Sequence, residues 1–216
     1  MSVTTRIQEL NNRLATNLVS KGVSAEGTET TTELINKVND IESGGTSVIN
    51  PEWTDWRYFS YYDNRNDLVA RLKYSDTANG KKFSNMFNYC GALTSIPQLD
   101  TSNGKNFGSM FNNCRALTSI SLLNMSNVSG TNWSSMFYNC PALKNVTFEG
   151  TIPVRGNMSV FSSCPNLTVE SLMSFINALT NMSDTATYTI TIGSTNLAKL
   201  TEEQIQIATD KRITLQ

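Results

Sequence analysis

Four cysteines carry the most reactive side chains of this 216-residue sequence, at positions 90, 114, 140 and 164. Thiolates at a fixed spacing can form disulfides, bind a metal or act as nucleophiles. Histidine is absent, which removes the commonest zinc ligand and the usual general base of a nucleophile pair. No Cys-x-x-Cys pair occurs either. The cysteines therefore do not predict a metal centre or a Cys-His active site.

Other catalytic groups give no stronger signal. The acidic residues are scattered, and no pair of them falls in a recognisable motif for glycoside hydrolysis. Asp100 is better explained as a turn residue. Neither a GxGxxG loop nor a GxxxxGK[ST] loop is present. We therefore expect no enzyme activity, no cofactor and no metal.

The cysteines are spaced by 24, 26 and 24 residues because they occupy one position of an internal repeat. The segment Met86-Phe87-Asn88-Tyr89-Cys90-Gly91-Ala92-Leu93-Thr94-Ser95-Ile96 returns 24 residues later as Met110-Phe111-Asn112-Asn113-Cys114-Arg115-Ala116-Leu117-Thr118-Ser119-Ile120. A third copy spans residues 124–143, and a fourth begins at Val160. Stacked repeats would place equivalent cysteines about 4.8 Å apart, whereas a disulfide requires Cβ atoms about 3.8 Å apart in a particular orientation. We expect a ladder of buried, reduced thiols; disulfides and, less readily, metal binding are the alternatives.

Each repeat has the pattern of one coil of a stacked array. Met-Phe and Cys would point inward from a short helical or 3₁₀ turn, and Leu-x-x-Ile would supply a short strand. This pattern resembles the cysteine-containing leucine-rich repeats of BspA-like bacterial surface proteins, over about residues 74–168. The resemblance implies an α/β repeat fold, a short right-handed leucine-rich-repeat solenoid with a parallel sheet, used for adhesion and not for catalysis.

Aromatic residues are concentrated just before the repeats, in residues 52–74. One interpretation is an aromatic cap over the exposed end of the array, since a terminal repeat lacks a neighbour. The other is that Trp53, Trp56 and Tyr58 form an exposed surface on which a sugar or protein could stack.

The C-terminal part predicts two helix and strand units that close the array. Thr168 can cap a helix over residues 169–179, and a strand should follow over 188–192. Thr201 and Gln204 fit a capping box that opens a helix ending near Asp210. A last strand is expected over 212–215. This stretch also resembles the closing segment of repeat proteins encoded in phages of low-GC Gram-positive bacteria.

The N-terminus predicts a separate α-helical, coiled-coil-like anchor. Its apolar heptad seam is short and comprises Val3, Ile7, Leu10, Leu14 and Asn17. The seam could fold into a helical hairpin, pack on the repeats, or serve self-association and docking on a larger assembly. The segment around residues 18–38 is similar to the N-terminal attachment regions of phage tail and fibre-type proteins.

The charge balance restricts the partners. Seventeen basic against eighteen acidic residues give a formal charge of −1, so there is no basic surplus for nucleic acid. No long apolar run or signal peptide is present, and we expect no membrane insertion. We expect a homo-oligomer, a trimer being one form, that contacts other virion proteins through the N-terminal helices and a host surface protein or glycan through the repeats.

These observations and resemblances combine into one expected architecture and function. The anchor or oligomerisation segment spans 1–42, a linker 43–51, the solenoid with its aromatic N-terminal cap 52–167, and the capping units 168–216. The function expected is that of a phage virion protein of fibre, spike or decoration type, located in a virion that is assembled in the host cytoplasm. The alternatives are a bacterial surface adhesin and a purely architectural capsid, collar or baseplate cement protein. The candidate ligand-binding residues are the outward strand positions Ser95, Ser119, Ser121, Asn145 and Thr147, with Trp53, Trp56 and Tyr58.

Overall fold

A computed structural model of the chain describes residues 54–56, 69, 72 and 77–216. The chain divides into two units, Met1–Pro51 and Glu52–Gln216, and all of the described residues lie in the second. The predicted anchor, its heptad seam and the linker lie outside the described residues, as do Trp53 and Tyr58.

The regular elements of the described residues are seven strands and three helices. They are β1 (Ser119–Asn124), β2 (Asn145–Glu149), β3 (Ile152–Val154), β4 (Met158–Ser159), α1 (Val169–Ala178), β5 (Leu179–Asn181), β6 (Tyr188–Thr191), α2 (Ser194–Leu197), α3 (Glu202–Asp210) and β7 (Ile213–Leu215). All strand pairs are parallel, in the orders β1-β2, β3-β5 and β4-β6-β7. Parallel pairing requires a crossover between partners, and here one repeat supplies it.

Equivalent residues of successive repeats lie side by side. Ser95 forms a parallel bridge with Ser119, and Ser119 pairs in turn with Asn145 of β2. On the next segment Lys82 bridges Asn106 in the same sense. The repeats are therefore stacked in register, one coil against the next. The leucine-rich solenoid class and its right-handed sense stay predictions.

The segment that carries Met-Phe and Cys differs from the short helical or 3₁₀ turn that we expected. Instead it is a series of tight turns, with two left-handed residues in each of the first three repeats. Those of the first two repeats are Asn85, Tyr89, Ser109 and Asn113. Alternate backbone N–H groups donate to the neighbouring repeat, for example from Phe87 to Met110 O at 2.9 Å. The inward direction of the Met, Phe and Cys side chains is as expected, because all of them are buried.

Phenylalanine rings form the centre of the core. The rings of Phe87, Phe111 and Phe137 stack with centroids 5.5 and 5.6 Å apart, and Phe161 continues the series at 5.2 Å. Phe148 of β2 meets the rings of Phe137 and Phe161 from the other side. The strands and the turn segments thus pack into the same core, and their outward residues form two separate surfaces.

Helix α1 closes the edge of the β1-β2 sheet. Its Ser171 accepts a hydrogen bond from Val146 N at 3.0 Å, and its Ser174 accepts one from Phe148 N at 2.8 Å. Both hydroxyls also donate back to backbone carbonyls, Ser171 to Lys144 O just before β2 and Ser174 to Phe148 O within it. Two serines three residues apart thus replace the backbone of a further strand.

The predicted closing elements are present, with small shifts at their ends. Helix α1 begins after Thr168, whose side chain accepts from Ser171 N, and α3 has the Thr201–Gln204 capping box. The strands predicted over 188–192 and 212–215 are β6 and β7. Lys211 donates to Ile176 O at 2.9 Å and to Asn177 O at 2.7 Å, which places a cation at the carboxyl end of α1.

Candidate binding surface

The five polar strand residues proposed as ligand contacts are all exposed. Ser95, Ser119 and Asn145 form one row across three repeats, because each pairs with the next in the parallel register. The burial of β2 alternates along the strand, so that Val146 and Phe148 enter the core while Asn145 and Thr147 face outward. We name this surface the strand face; it comprises Ser95, Ser119, Ser121, Asn145 and Thr147.

A bulge in β1 affects the part of the strand face that contains Ser121 and Thr147. The register of β1 on β2 shifts between Ile120 and Leu123, so one strand carries an extra residue here. Ser121 lies in this bulge, and its hydroxyl donates to Gln98 Oε1 at 2.6 Å. Gln98 was missed from the sequence, because no local pattern indicates that its side chain reaches the neighbouring coil.

Charges flank the strand face and do not lie within it. Lys144 is exposed on one side of the rows, next to Asn145. Glu149 is exposed on the other side, where its Oε2 accepts a hydrogen bond from Asn124 Nδ2 at 3.1 Å. The face itself offers hydroxyl and amide groups at the spacing of parallel strands. Such groups can bind hydroxyls or a peptide backbone, but they provide no nucleophile with a paired base.

The aromatic candidate that the structure describes is not part of an open surface. Trp56 is only 1% exposed, so the proposal that its ring serves as a stacking platform is wrong. Its backbone N–H donates to Lys82 O at 2.7 Å, and the neighbouring Asp55 faces outward. Strand alternation therefore directs Trp56 into the core. This placement fits the alternative interpretation, an aromatic cap over the first described repeat.

The four cysteines are buried and form no disulfide. Each thiol from the second repeat onward donates to a backbone carbonyl of the preceding repeat, at 3.0 Å for Cys114 and 2.9 Å for Cys140 and Cys164. Burial raises the pKa of the Cys114 thiol. The interaction of the Cys140 thiol, as donor, with Cys164 raises the pKa of Cys140, and burial adds to the rise; the same interaction lowers the pKa of Cys164. Cys114 and Cys140 are thus held in the protonated form. All four cysteines are buried and free, as the ladder interpretation predicts.

Other features of the described residues give weaker sites. No three His, Cys, Asp or Glu side chains converge there in a way that could hold a metal ion. Two shallow depressions of about 440 and 390 Å³ lie in the C-terminal part of the chain, one of them reaching back to β4. The larger one is lined by Asn157, Met158, Ser159, Thr189, Thr191 and Gln216. Within the described part of the chain, no helix has the length and apolar character needed to cross a bilayer.

Fold and surface together define a protein of stacked repeats with an uncharged polar face. A family model described as "Mycoplasma protein of unknown function, DUF285" matches residues 57–150. The match is consistent with the resemblance to BspA-like proteins. It covers the first three repeats, but neither the fourth, which begins at Val160, nor the closing elements that begin with α1. Comparisons with curated proteins and with solved structures gave no match.

Proposed function

We propose that this protein is a non-enzymatic phage virion protein of fibre, spike or decoration type, which uses the strand face to bind a protein or glycan on the host cell. In this proposal the stacked repeats are a short right-handed leucine-rich solenoid. The row formed by Ser95, Ser119 and Asn145 is the observation that carries the proposal. A row of exposed side chains repeated across three coils gives an extended surface without a deep pocket.

The proposed mechanism is multivalent. Hydroxyl and amide contacts on one strand face are weak singly, because each replaces hydrogen bonds with water. Several copies on one particle would raise the overall affinity well above that of a single site, provided that all can engage together. The heptad seam of the N-terminal segment would supply that assembly, either as a homo-oligomer or by docking on other virion proteins.

The main alternative is a bacterial surface adhesin with the same strand face. One observation favours the adhesin. The description of the matching family model names a Mycoplasma protein, and Mycoplasma is a bacterium and not a virus. A third hypothesis is a cement protein of the capsid, collar or baseplate, in which the repeats would only join neighbouring proteins of the particle.

A cell-binding assay tests the role of the strand face. Labelled full-length protein is incubated with a panel of low-GC Gram-positive bacteria, and bound label is measured. Ser119→Arg combined with Asn145→Arg places two bulky cations on the row and should lower binding at least tenfold. The matched control, Thr187→Arg with Thr195→Arg, adds the same charge at exposed threonines outside the face and should bind as the parent does.

Equal binding by the two double variants would exclude the strand face as the binding surface. Phage adsorption and detection of the protein on cells distinguish the cement and adhesin hypotheses. A phage that lacks the protein yet adsorbs at the parental rate would favour the cement role. Detection of the protein on bacterial cells that carry no phage would favour the adhesin.

A further inference from the structure

The turn segments present a second outward surface, formed by other residues than the strand face. Tyr89 and Tyr138 are 45% and 49% exposed there, and they are two of the three large apolar side chains that are exposed among the described residues. Three half-buried asparagines lie between and beside them along the stack. We name this surface the turn face; it comprises Tyr89, Asn112, Asn113, Tyr138 and Asn139.

Backbone hydrogen bonds fix the order of these residues across three repeats. Tyr89 N donates to Asn112 O, and Asn113 N donates to Tyr138 O, both at 2.8 Å. The two tyrosines are thus separated by two inter-repeat steps, about 10 Å at the usual spacing of hydrogen-bonded strands. The turn face is therefore a short track with an exposed aromatic ring near each end and amides between them.

The amides are joined in one direction. Asn139 Nδ2 donates to Asn113 Oδ1 at 2.6 Å, and Asn113 Nδ2 donates to Asn112 Oδ1. This chain leaves acceptor capacity at the Asn139 oxygen and donor capacity at the Asn112 nitrogen. A sugar hydroxyl is both donor and acceptor, so adjacent hydroxyls could use both ends of the chain. Amides polarised in series are stronger partners than isolated ones.

The backbone at Tyr89 gives an independent argument for function. Its φ of 63° is in the left-handed region, where a bulky aromatic residue is strained. The equivalent left-handed positions of the next two repeats carry Asn113 and Asn139, a residue type that tolerates this conformation. Tyrosine at this position therefore costs conformational energy, although nearly half of its ring remains in solvent.

Asn88, the residue before Tyr89, has a buried side-chain oxygen without a hydrogen-bond donor in the described part of the chain. Asn88 is buried, and its Oδ1 is the one buried side-chain polar atom without a hydrogen-bond partner among the described residues. Buried polar atoms of this kind are rare and call for a donor. A water or a ligand hydroxyl brought to the turn face could supply that donor.

We propose that the turn face is a binding site for neutral oligosaccharides, separate from the strand face. Tyr89 and Tyr138 would stack on the apolar faces of sugar rings, and the amide chain would bind their hydroxyls. The five side chains are amides and phenols, and none of them is a carboxylate, an ammonium or a guanidinium group. Arg115 is the one charged residue within two sequence positions of them. This composition favours a neutral glycan over an anionic one.

The test is binding of the full chain to an array of neutral oligosaccharides of two to six sugar units, with sialylated and sulfated oligosaccharides as charged counterparts. The parent should bind members of the neutral set. Tyr138→Asn and Tyr89→Asn should each weaken that binding at least tenfold, while Tyr138→Phe, which keeps the ring, should retain it. Asparagine occupies the equivalent positions of other repeats, so these variants keep the local backbone preferences.

Two controls isolate the turn face. Met182 is as exposed as Tyr138 but lies outside this surface, just after β5, so Met182→Asn should bind like the parent. The strand-face variant with Ser119→Arg and Asn145→Arg should also retain oligosaccharide binding, which separates this site from the function proposed above. Asn139→Gly, which keeps the left-handed turn but removes the acceptor, should lose binding.

Three results would each overturn the proposal. They are no binding of the neutral oligosaccharides by the parent, binding confined to the charged set, and undiminished binding by both tyrosine variants. Thermal unfolding followed by circular dichroism checks that every variant used for these conclusions is folded.

Discussion

The buried thiols stabilise this molecule as small apolar side chains with one directed hydrogen bond each. Cys114, Cys140 and Cys164 donate to the carbonyls of Phe87, Phe111 and Phe137, and all three carbonyls belong to the preceding repeat. The thiol therefore joins one coil to the next in addition to filling space. A thiolate in the same place could not donate, and it would be poorly solvated.

Stability should fall as the pH rises above about 8.5, the ordinary thiol pKa. Folding raises the pKa of Cys114, chiefly because the thiol is buried, so the stabilisation from this protonated thiol is complete below the unfolded pKa. It is lost above that pH, because the unfolded thiol ionises while the folded one does not. The cost is up to about 1.4 kcal/mol per pH unit. Urea unfolding between pH 7 and 9.5, with a reductant present, measures this slope.

Cys114→Ala provides the control for the thiol prediction. It should be less stable than the parent at pH 7, yet its stability should fall less steeply with pH, by about 1.4 kcal/mol per unit above pH 8.5. Parallel slopes for parent and variant would show that Cys114 does not contribute to the pH dependence.

At the residue scale, the sequence allowed some positions to be predicted and not others. The outward direction of Ser95, Ser119 and Asn145 follows from strand alternation, which is a local property. Trp56 was assigned wrongly because an aromatic residue in a terminal coil fits either a cap or an open surface. The turn face was missed because the outward direction of Tyr89 and Tyr138 depends on left-handed turns, which asparagine and serine do not by themselves specify.

Helix α1 has a specific role among the elements, since it ends the β1-β2 sheet with two hydroxyls. Ser171→Ala or Ser174→Ala would leave an N–H of β2 without its acceptor. We expect each substitution to lower the free energy of unfolding by about 1–3 kcal/mol. Chemical denaturation followed by circular dichroism gives the value.

The matched control for the edge serines is Ser121→Ala. This serine also makes a side-chain hydrogen bond, to Gln98, but it is exposed, so its loss should change stability by less than about 0.5 kcal/mol. If Ser171→Ala and Ser174→Ala were equally mild, water would be satisfying the edge of β2, and α1 would not be needed to close it.

The corners before Phe83 and Phe107 require glycine for close packing, at Gly80 and Gly104. A Cβ added at Gly104 would lie 2.1 Å from the ring of Phe107 and 2.9 Å from Thr101 O. Gly104→Ala must therefore displace the ring or the backbone, and we expect a loss of about 1–3 kcal/mol in thermal or chemical unfolding.

Gly156→Ala is the control for the corner glycine, because a Cβ at that position meets nothing within 4 Å. It should be neutral, or stabilising by up to about 1 kcal/mol, through the lower entropy of the unfolded chain. Similar losses in both variants would mean that the backbone conformation, and not contact with Phe107, is the reason for glycine at these corners.

At the scale of elements, local signals were predictive and non-local ones were not. The capping box at Thr201 and the cap at Thr168 located α3 and α1 to within a residue, since a cap depends on neighbours in sequence. Strands β3, β4 and β5 were not predicted. They have two or three residues each and exist through pairing with distant partners, as Ile152 does with Leu179, so no periodicity marks them.

At the scale of the whole molecule, assembly decides whether weak surface contacts become useful affinity. The strand face and the turn face each offer neutral polar contacts, and such contacts are individually weak. If the N-terminal seam joins several copies, linked sites raise the effective concentration of each for a shared cell surface. The seam residues Val3, Ile7, Leu10, Leu14 and Asn17 lie outside the described residues, so this step rests on the heptad spacing.

Light scattering on the full chain and on a shortened chain beginning at Asn50 measures whether the N-terminal seam joins several copies. We expect an oligomer, such as a trimer, for the full chain and a monomer for the shortened one, because the seam is removed while residues 77–216 are kept. Leu10→Asp in the full chain serves as the point-mutant control, since a charge in an apolar seam should also give a monomer. A monomeric full chain would show that the seam is satisfied within the chain or by a different protein. Multivalent binding would then depend on a particle or surface that gathers separate copies.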